Sequence, residues 1–140
     1  MSECVFCDIA AGTAPATILY RDALCLAFMD RQPVNAGHLL VVPIGHATYL
    51  ADLPPDTGAQ LFRVAQQFST ALRRSGIRCE GTNLILADGE AAGQDVFHAH
   101  LHVIPRFAGD GFGLRHGPTY GVRPPRAELE RIAQLIRQFA

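Results

Sequence analysis

The order of elements along the 140-residue sequence predicts an α+β domain with a largely antiparallel sheet. Three observations carry this. Short apolar runs recur with turn residues between them, the pattern of paired strands. A single long stretch, Leu61, Val64, Ala65, Phe68 and Leu72, repeats at helical spacing. A third run, Phe97–Ile104, alternates strictly, with Phe97, Ala99, Leu101 and Val103 on one side and His98, His100 and His102 on the other.

Taken in order, Cys4–Ala11 reads as a short helical turn closed by Gly12. Thr17–Tyr20 and Leu24–Met29 read as strands joined at Arg21-Asp22. Pro33, Asn35 and Gly37 mark a loop before an apolar strand, His38–Val42, that Pro43 stops. Asp52, Pro54 and Pro55 announce the long helix, and Gly76 ends it. Asn83–Ala87 is the next strand, with a turn-rich stretch over Asp88–Gly93. The last strand ends at Pro105, and glycines at 109, 111, 113, 117 and 121 make a loose segment. An amphipathic helix from about Arg126 carries Leu129, Ile132, Ala133, Ile136 and Phe139 on one face, expected to pack on the body or across a dimer.

Composition narrows the function classes. A chain of this length buries roughly 70% of its unfolded surface and needs no disulfides for a core. The hydrophobic and charged fractions, 49% and 18%, are ordinary for a globular domain. The net charge of -1 lacks the electrostatic footprint of a nucleic-acid partner. All the cationic residues are arginine, a compositional habit of the source. The N-terminus has no basic region followed by an apolar run, and no stretch is long enough to span a bilayer. The expectation is a cytoplasmic protein without membrane partners, with Cys4, Cys7, Cys25 and Cys79 reduced.

His98-Ala99-His100-Leu101-His102 is the strongest chemical signal. Three imidazoles on one face of a strand are hard to explain by packing. One metal shared by all three is the obvious rival reading. Alternate strand residues stand roughly 6.6 Å apart, so the outer pair starts about 13 Å apart and converges poorly on one ion. The histidines therefore have separate jobs along a groove. The loop Gly89–Gln94 reads either as a turn or as a cradle of backbone N–H groups for an anion. Cys4-x-x-Cys7 signals metal or redox chemistry.

The run Gly93–Arg106 resembles the signature of the histidine triad (HIT) family, in the branch of bacterial HIT proteins and nucleoside phosphoramidases. Cys-Val-Phe-Cys at the start, Leu26–Asp30, Gly37–Pro43 and His46 extend the resemblance from Cys4 to about Phe112. It implies a HIT domain over residues 1–112, with 113–140 a C-terminal tail ending in the amphipathic helix. It also implies a homodimer whose sheets join across the two-fold axis, and a purine nucleotide, such as AMP or GMP, bound on the sheet. The middle histidine, His100, would attack the α-phosphorus and form a nucleotidyl-histidine that water then hydrolyses. His102, His38 and Gln94 would serve the phosphate or the nucleophile. Asp30 would hold the ribose hydroxyls. Phe6, Ile9 and Phe28 would wall the base pocket, their alternative being ordinary core. The resemblance also implies structural zinc on Cys4, Cys7, His46 and His98.

Two positions depart from the pattern. Ala87 stands where relatives carry an Asn or Gln whose amide contacts a substrate phosphate. Asp95, near the phosphate, stands where phosphoramidases have Ser and many bacterial members Glu. The leading reading is thus a nucleotide hydrolase or transferase acting at the α-phosphate. The alternatives are a purine-nucleotide-binding dimer with little catalysis and a protein whose zinc is catalytic.

Overall fold

The computed structural model describes residues 2–140. Its centre is a hairpin-like pair, β2 (Cys25–Met29) against β3 (Leu39–Pro43), in which almost every residue is buried. Outside β2 lies β1 (Ile18–Arg21); beyond β3 come β5 (Leu101–Arg106) and then β4 (Gly81–Ile85). All four pairings in this order, β1-β2-β3-β5-β4, are antiparallel. The α+β class and its antiparallel sheet are as the sequence predicts.

Helix α2 (Pro55–Arg74) begins at a proline, whose missing N–H costs nothing in a first turn. It lays Leu61, Val64, Ala65 and Leu72 on one face of the sheet, against Ala27, Leu39, Val41, Leu101 and Val103. Where the loop before β3 passes beneath α2, a Cβ on Gly37 would stand 2.9 Å from the end of Leu72, and φ is +98°; only glycine fits. The short helix α1 (Val5–Ala11) covers the other face. Cys4 caps it, and Gly12 closes it in the left-handed conformation. Phe6, Ile9 and Ala10 meet Leu26, Phe28, Leu40 and Val42 there.

Several boundaries differ from expectation. The last strand starts at Leu101, not Phe97, because the preceding residues bond away from the ladder: Ala99 N–H donates to the Ala47 carbonyl at 2.7 Å. It runs through Pro105 to Arg106, and β3 likewise includes Pro43. A proline removes one donor at a strand end without stopping the chain from staying extended. Strand β4 starts and ends two residues earlier than the apolar pattern suggests. Helix α3 (Arg126–Arg137) forms where expected, but no residue in it is buried, so it does not pack on the body. Its Leu129, Leu135 and Ile136 face solvent at the end of the Gly- and Pro-rich segment. In that segment His116 stacks on Tyr120. No helix among the described residues is long and apolar enough to cross a membrane.

Candidate functional site

The α1 face carries all the chemistry. Leu40 pairs with His102 across β3 and β5, so His102 projects on the side of Leu40 and Phe28, away from α2. His98 and His100 share this side, their rings each edge-on to Phe6. Alternation therefore holds through residues 98–102 although the strand begins only at 101. The three rings nevertheless have three different sets of partners.

His100 is buried, and its Nδ1 lies 2.8 Å from the His98 carbonyl. A carbonyl can only accept, so Nδ1 holds the proton and Nε2 presents a lone pair. Nε2 faces a cleft of about 720 Å³. The nearest side-chain charge is the Asp95 carboxylate, 3.7 Å away. An imidazole with one nitrogen pinned as donor and the other open is a competent nucleophile at neutral pH.

His102 lines the same cleft and is held from behind. The Val34 N–H donates to His38 Nδ1 at 3.0 Å, so a neutral His38 carries its proton on Nε2. That proton points at His102 Nδ1, 2.9 Å away, with an Asp30 carboxylate oxygen at 3.5 Å. His102 must then carry its own proton on Nε2, directed at the cleft. Burial, with His100 and His38 adding to it, pushes His102 down to about 4; burial also lowers His38 against the pull of Asp30. Both rings are neutral at pH 7, and His102 offers the cleft a hydrogen-bond donor without a charge.

His98 belongs to a different cluster. It is fully buried, and its Nε2–H donates to the Pro43 carbonyl at 2.8 Å, leaving the Nδ1 lone pair turned toward Cys4 and Cys7 Sγ at 3.3 and 3.5 Å. His46 Nδ1 lies 3.3 Å from Cys7 Sγ. The four donor atoms lie within 4.8 Å of one another. Metal–sulfur and metal–nitrogen bonds of about 2.3 and 2.1 Å in a tetrahedron require S···N separations of about 3.6 Å, and the set fits that demand. Burial, then the adjoining Cys4, pushes the Cys7 thiol up to about 11, a conflict a divalent cation would relieve.

Of the residues expected at the site, His100, His102, Asp30, Asp95, Phe6, Ile9 and Phe28 all line the cleft. The aromatic and aliphatic members are core and pocket wall at once, since Phe6, Ile9 and Phe28 also belong to the apolar cluster under α1. His38 stands behind His102 rather than in the wall. Gln94 is a correction. It is buried, its amide donates to the Thr48 and Val96 carbonyls, and its oxygen accepts Gly89 N–H. Both donors are spent on holding the loop, so the side chain has none to offer a phosphate. The cleft wall also includes Thr17, Met29, Arg31 and Gln32, which sequence reasoning missed. Arg31 and Gln32 directly follow Asp30, and that adjacency was the available signal.

The fold and site together define a class: an antiparallel α+β protein that sets adjacent imidazoles, one with a nitrogen open to solvent, in the wall of an open cleft. The chain belongs to the HIT family; the HIT domain matches residues 11–109. It is 37% identical to an uncharacterised HIT-like protein of Borreliella burgdorferi over all of this chain and 98% of that one. A solved zinc-bound histidine triad family protein from Mycobacterium smegmatis is 41% identical, each chain covering 97% of the other, with a TM-score of 0.76. A histidine triad nucleotide-binding protein from Candida albicans is 25% identical over 97% of this chain and 96% of that one, with a TM-score of 0.85.

Proposed function

We propose that the protein hydrolyses or transfers nucleotides at the α-phosphate of purine nucleotide conjugates, through a nucleotidyl-histidine on His100. The observation that carries this reading is the His100 ring, whose Nδ1–H is tied to the His98 carbonyl while Nε2 opens on the cleft. The Nε2 lone pair forms a bond to phosphorus as the bond from phosphorus to the leaving group breaks. The departing atom keeps that electron pair and, if an amine nitrogen, takes a proton from solvent. The resulting phosphoryl-imidazolium keeps its Nδ1–H. Water then attacks phosphorus, the P–N pair returns to Nε2, and the water's spare proton goes to solvent. His102 donates its Nε2–H to a phosphoryl oxygen throughout, and His38 holds His102 in the tautomer that allows it. Asp30 at the end of β2 is suited to ribose hydroxyls, and Phe6, Ile9 and Phe28 supply apolar wall for the base.

Zinc on Cys4, Cys7, His46 and His98 is part of the proposal. It would supply cross-linking rather than catalysis, because four protein ligands leave no open position. It would tie α1 to the loop after β3 and to the entry into β5. A homodimer is also proposed, since β1 and β4 both leave an open sheet edge.

A second reading, a nucleotide-binding dimer with little catalysis, draws on the spent Gln94 amide and on Ala87, which leave the phosphate few donors besides His102 and loop amides. One substitution separates the two. His100→Ala should cut turnover of an adenylylated amine by about 10³-fold or more while nucleoside monophosphate binding persists. Brief mixing of the wild type with that substrate should leave an acid-labile nucleotidyl mass on the peptide holding His100. Unchanged turnover in His100→Ala removes the mechanism; binding with no turnover in the wild type favours the second reading.

A further inference from the structure

The charged side chains lining the cleft are Asp30, Arg31 and Asp95. They are not evenly spread. Leu101 is level with Val41, and Val41 with Ala27, so the end of the sheet next to His100 is the end away from Asp30 and Arg31. Arg31 lies in the bend after β2, two residues past its last residue, Met29. At the His100 end the lining charge is Asp95, and it is negative. The Val96 N–H donates to Asp95 Oδ1 at 2.9 Å, which keeps that oxygen 3.7 Å from the attacking nitrogen. His100 brings a hydrogen-bonding nitrogen to this end, His102 stands between it and Asp30, and Gln94 has no free amide hydrogen.

A cleft built this way treats leaving groups unequally. A phosphorus atom in line with Nε2 puts its departing atom within several ångströms of the Asp95 carboxylate, where like charges repel and an ammonium group is attracted. Resting on the reaction proposed above, we infer that Asp95 is a charge filter for the departing group: it selects conjugates that release a neutral or cationic amine and disfavours those that release sulfate or a polyphosphate. The carboxylate is 83% exposed, so its field is screened by salt and the discrimination is a matter of about ten-fold. The bonds made and broken are those of the proposed reaction. Asp95 neither gives nor takes a proton and determines specificity without itself reacting.

The test compares two probes that share the adenylyl group. In one, AMP is joined by a P–N bond to ethylenediamine, which carries an ammonium group at its far end. The other is adenosine 5′-phosphosulfate. The quantity read is the ratio of kcat/KM, cationic over anionic, which cancels intrinsic reactivity between variants. Asp95→Asn and Asp95→Ser should each lower that ratio about ten-fold, and 0.5 M salt should lower it in the wild type in the same direction. Asp56→Asn, which removes a carboxylate at the start of α2, should leave it within two-fold. A change of less than three-fold in both Asp95 variants, with His100→Ala inactive on both probes, overturns the filter and leaves the mechanism standing. Turnover that survives in His100→Ala overturns the mechanism and the filter with it.

Discussion

Two clusters on the same face of the sheet each bring donor atoms within 4.8 Å: Cys4, Cys7, His46 and His98 in one, Asp30, His38 and His102 in the other. By residue type both resemble metal sites. They differ in what the outer ring nitrogens touch. His98 gives its outer proton to the Pro43 carbonyl, which frees the inner nitrogen as a lone pair for a cation. His38 receives an N–H from Val34 on its outer nitrogen, which forces the proton to the inner one, where it becomes a donor to His102. A protonated nitrogen cannot ligate. The first cluster is arranged to hold a metal and the second to pass a hydrogen bond to the cleft. The lesson is that one backbone contact, carbonyl or amide, decides what a buried imidazole can do.

The sharpest way to break this comparison is His98→Ala. It should empty the first cluster of zinc and, through loss of a fully buried ring and its metal, cost about 3 kcal/mol or more of stability. Metal analysis and a melting curve check both effects. Chelation of the wild type should lower the melting temperature before it lowers activity; activity lost at once with the fold intact would mean the metal takes part in the reaction.

The second cluster should respond to His38 in kinetics rather than in metal content. His38→Leu removes the donor to His102 and should lower kcat about 10- to 100-fold with zinc unchanged. His38→Gln keeps an amide N–H in reach of His102 and should recover part of the loss. Equal loss in both variants would mean that the ring matters for packing and not for the tautomer.

The smallest effect is that of pH. His102 and His38 have folded-state values below the ordinary value near 6.5, so between about 4 and 6.5 the unfolded chain binds more protons than the folded one. Stability is then fully present above about pH 6.5 and falls as the pH drops toward 4. Melting at pH 4.5 and 7 should show the drop, and His38→Leu should show less of it.

Much of this was legible from the chain alone. The alternation over 97–104 located all three imidazoles, and Cys4-x-x-Cys7 marked the thiol pair 39 and 91 residues before the histidines it meets. Gln94 was misread because an amide beside a glycine-rich loop looks available, and only its three hydrogen bonds reveal that it is not. The start of the last strand was misread because period-two alternation persists in any extended segment, whether or not it joins the ladder. Helix α3 was recognisable from its apolar spacing, but spacing says nothing of whether a neighbour is there to receive that face.

Side-chain order by itself pointed to the antiparallel α+β class and to the face on which the histidines lie; that Asp30, His38 and His102 form a second cluster emerged only from the fold. Only the tertiary structure decided which nitrogen of each ring is free, and hence which cluster suits a cation and which ring can attack. The reason is that a neutral imidazole has one proton and two places for it. The groups that choose between them here, the carbonyls of Pro43 and His98 and the N–H of Val34, are backbone atoms common to nearly every residue and so carry no mark in the sequence.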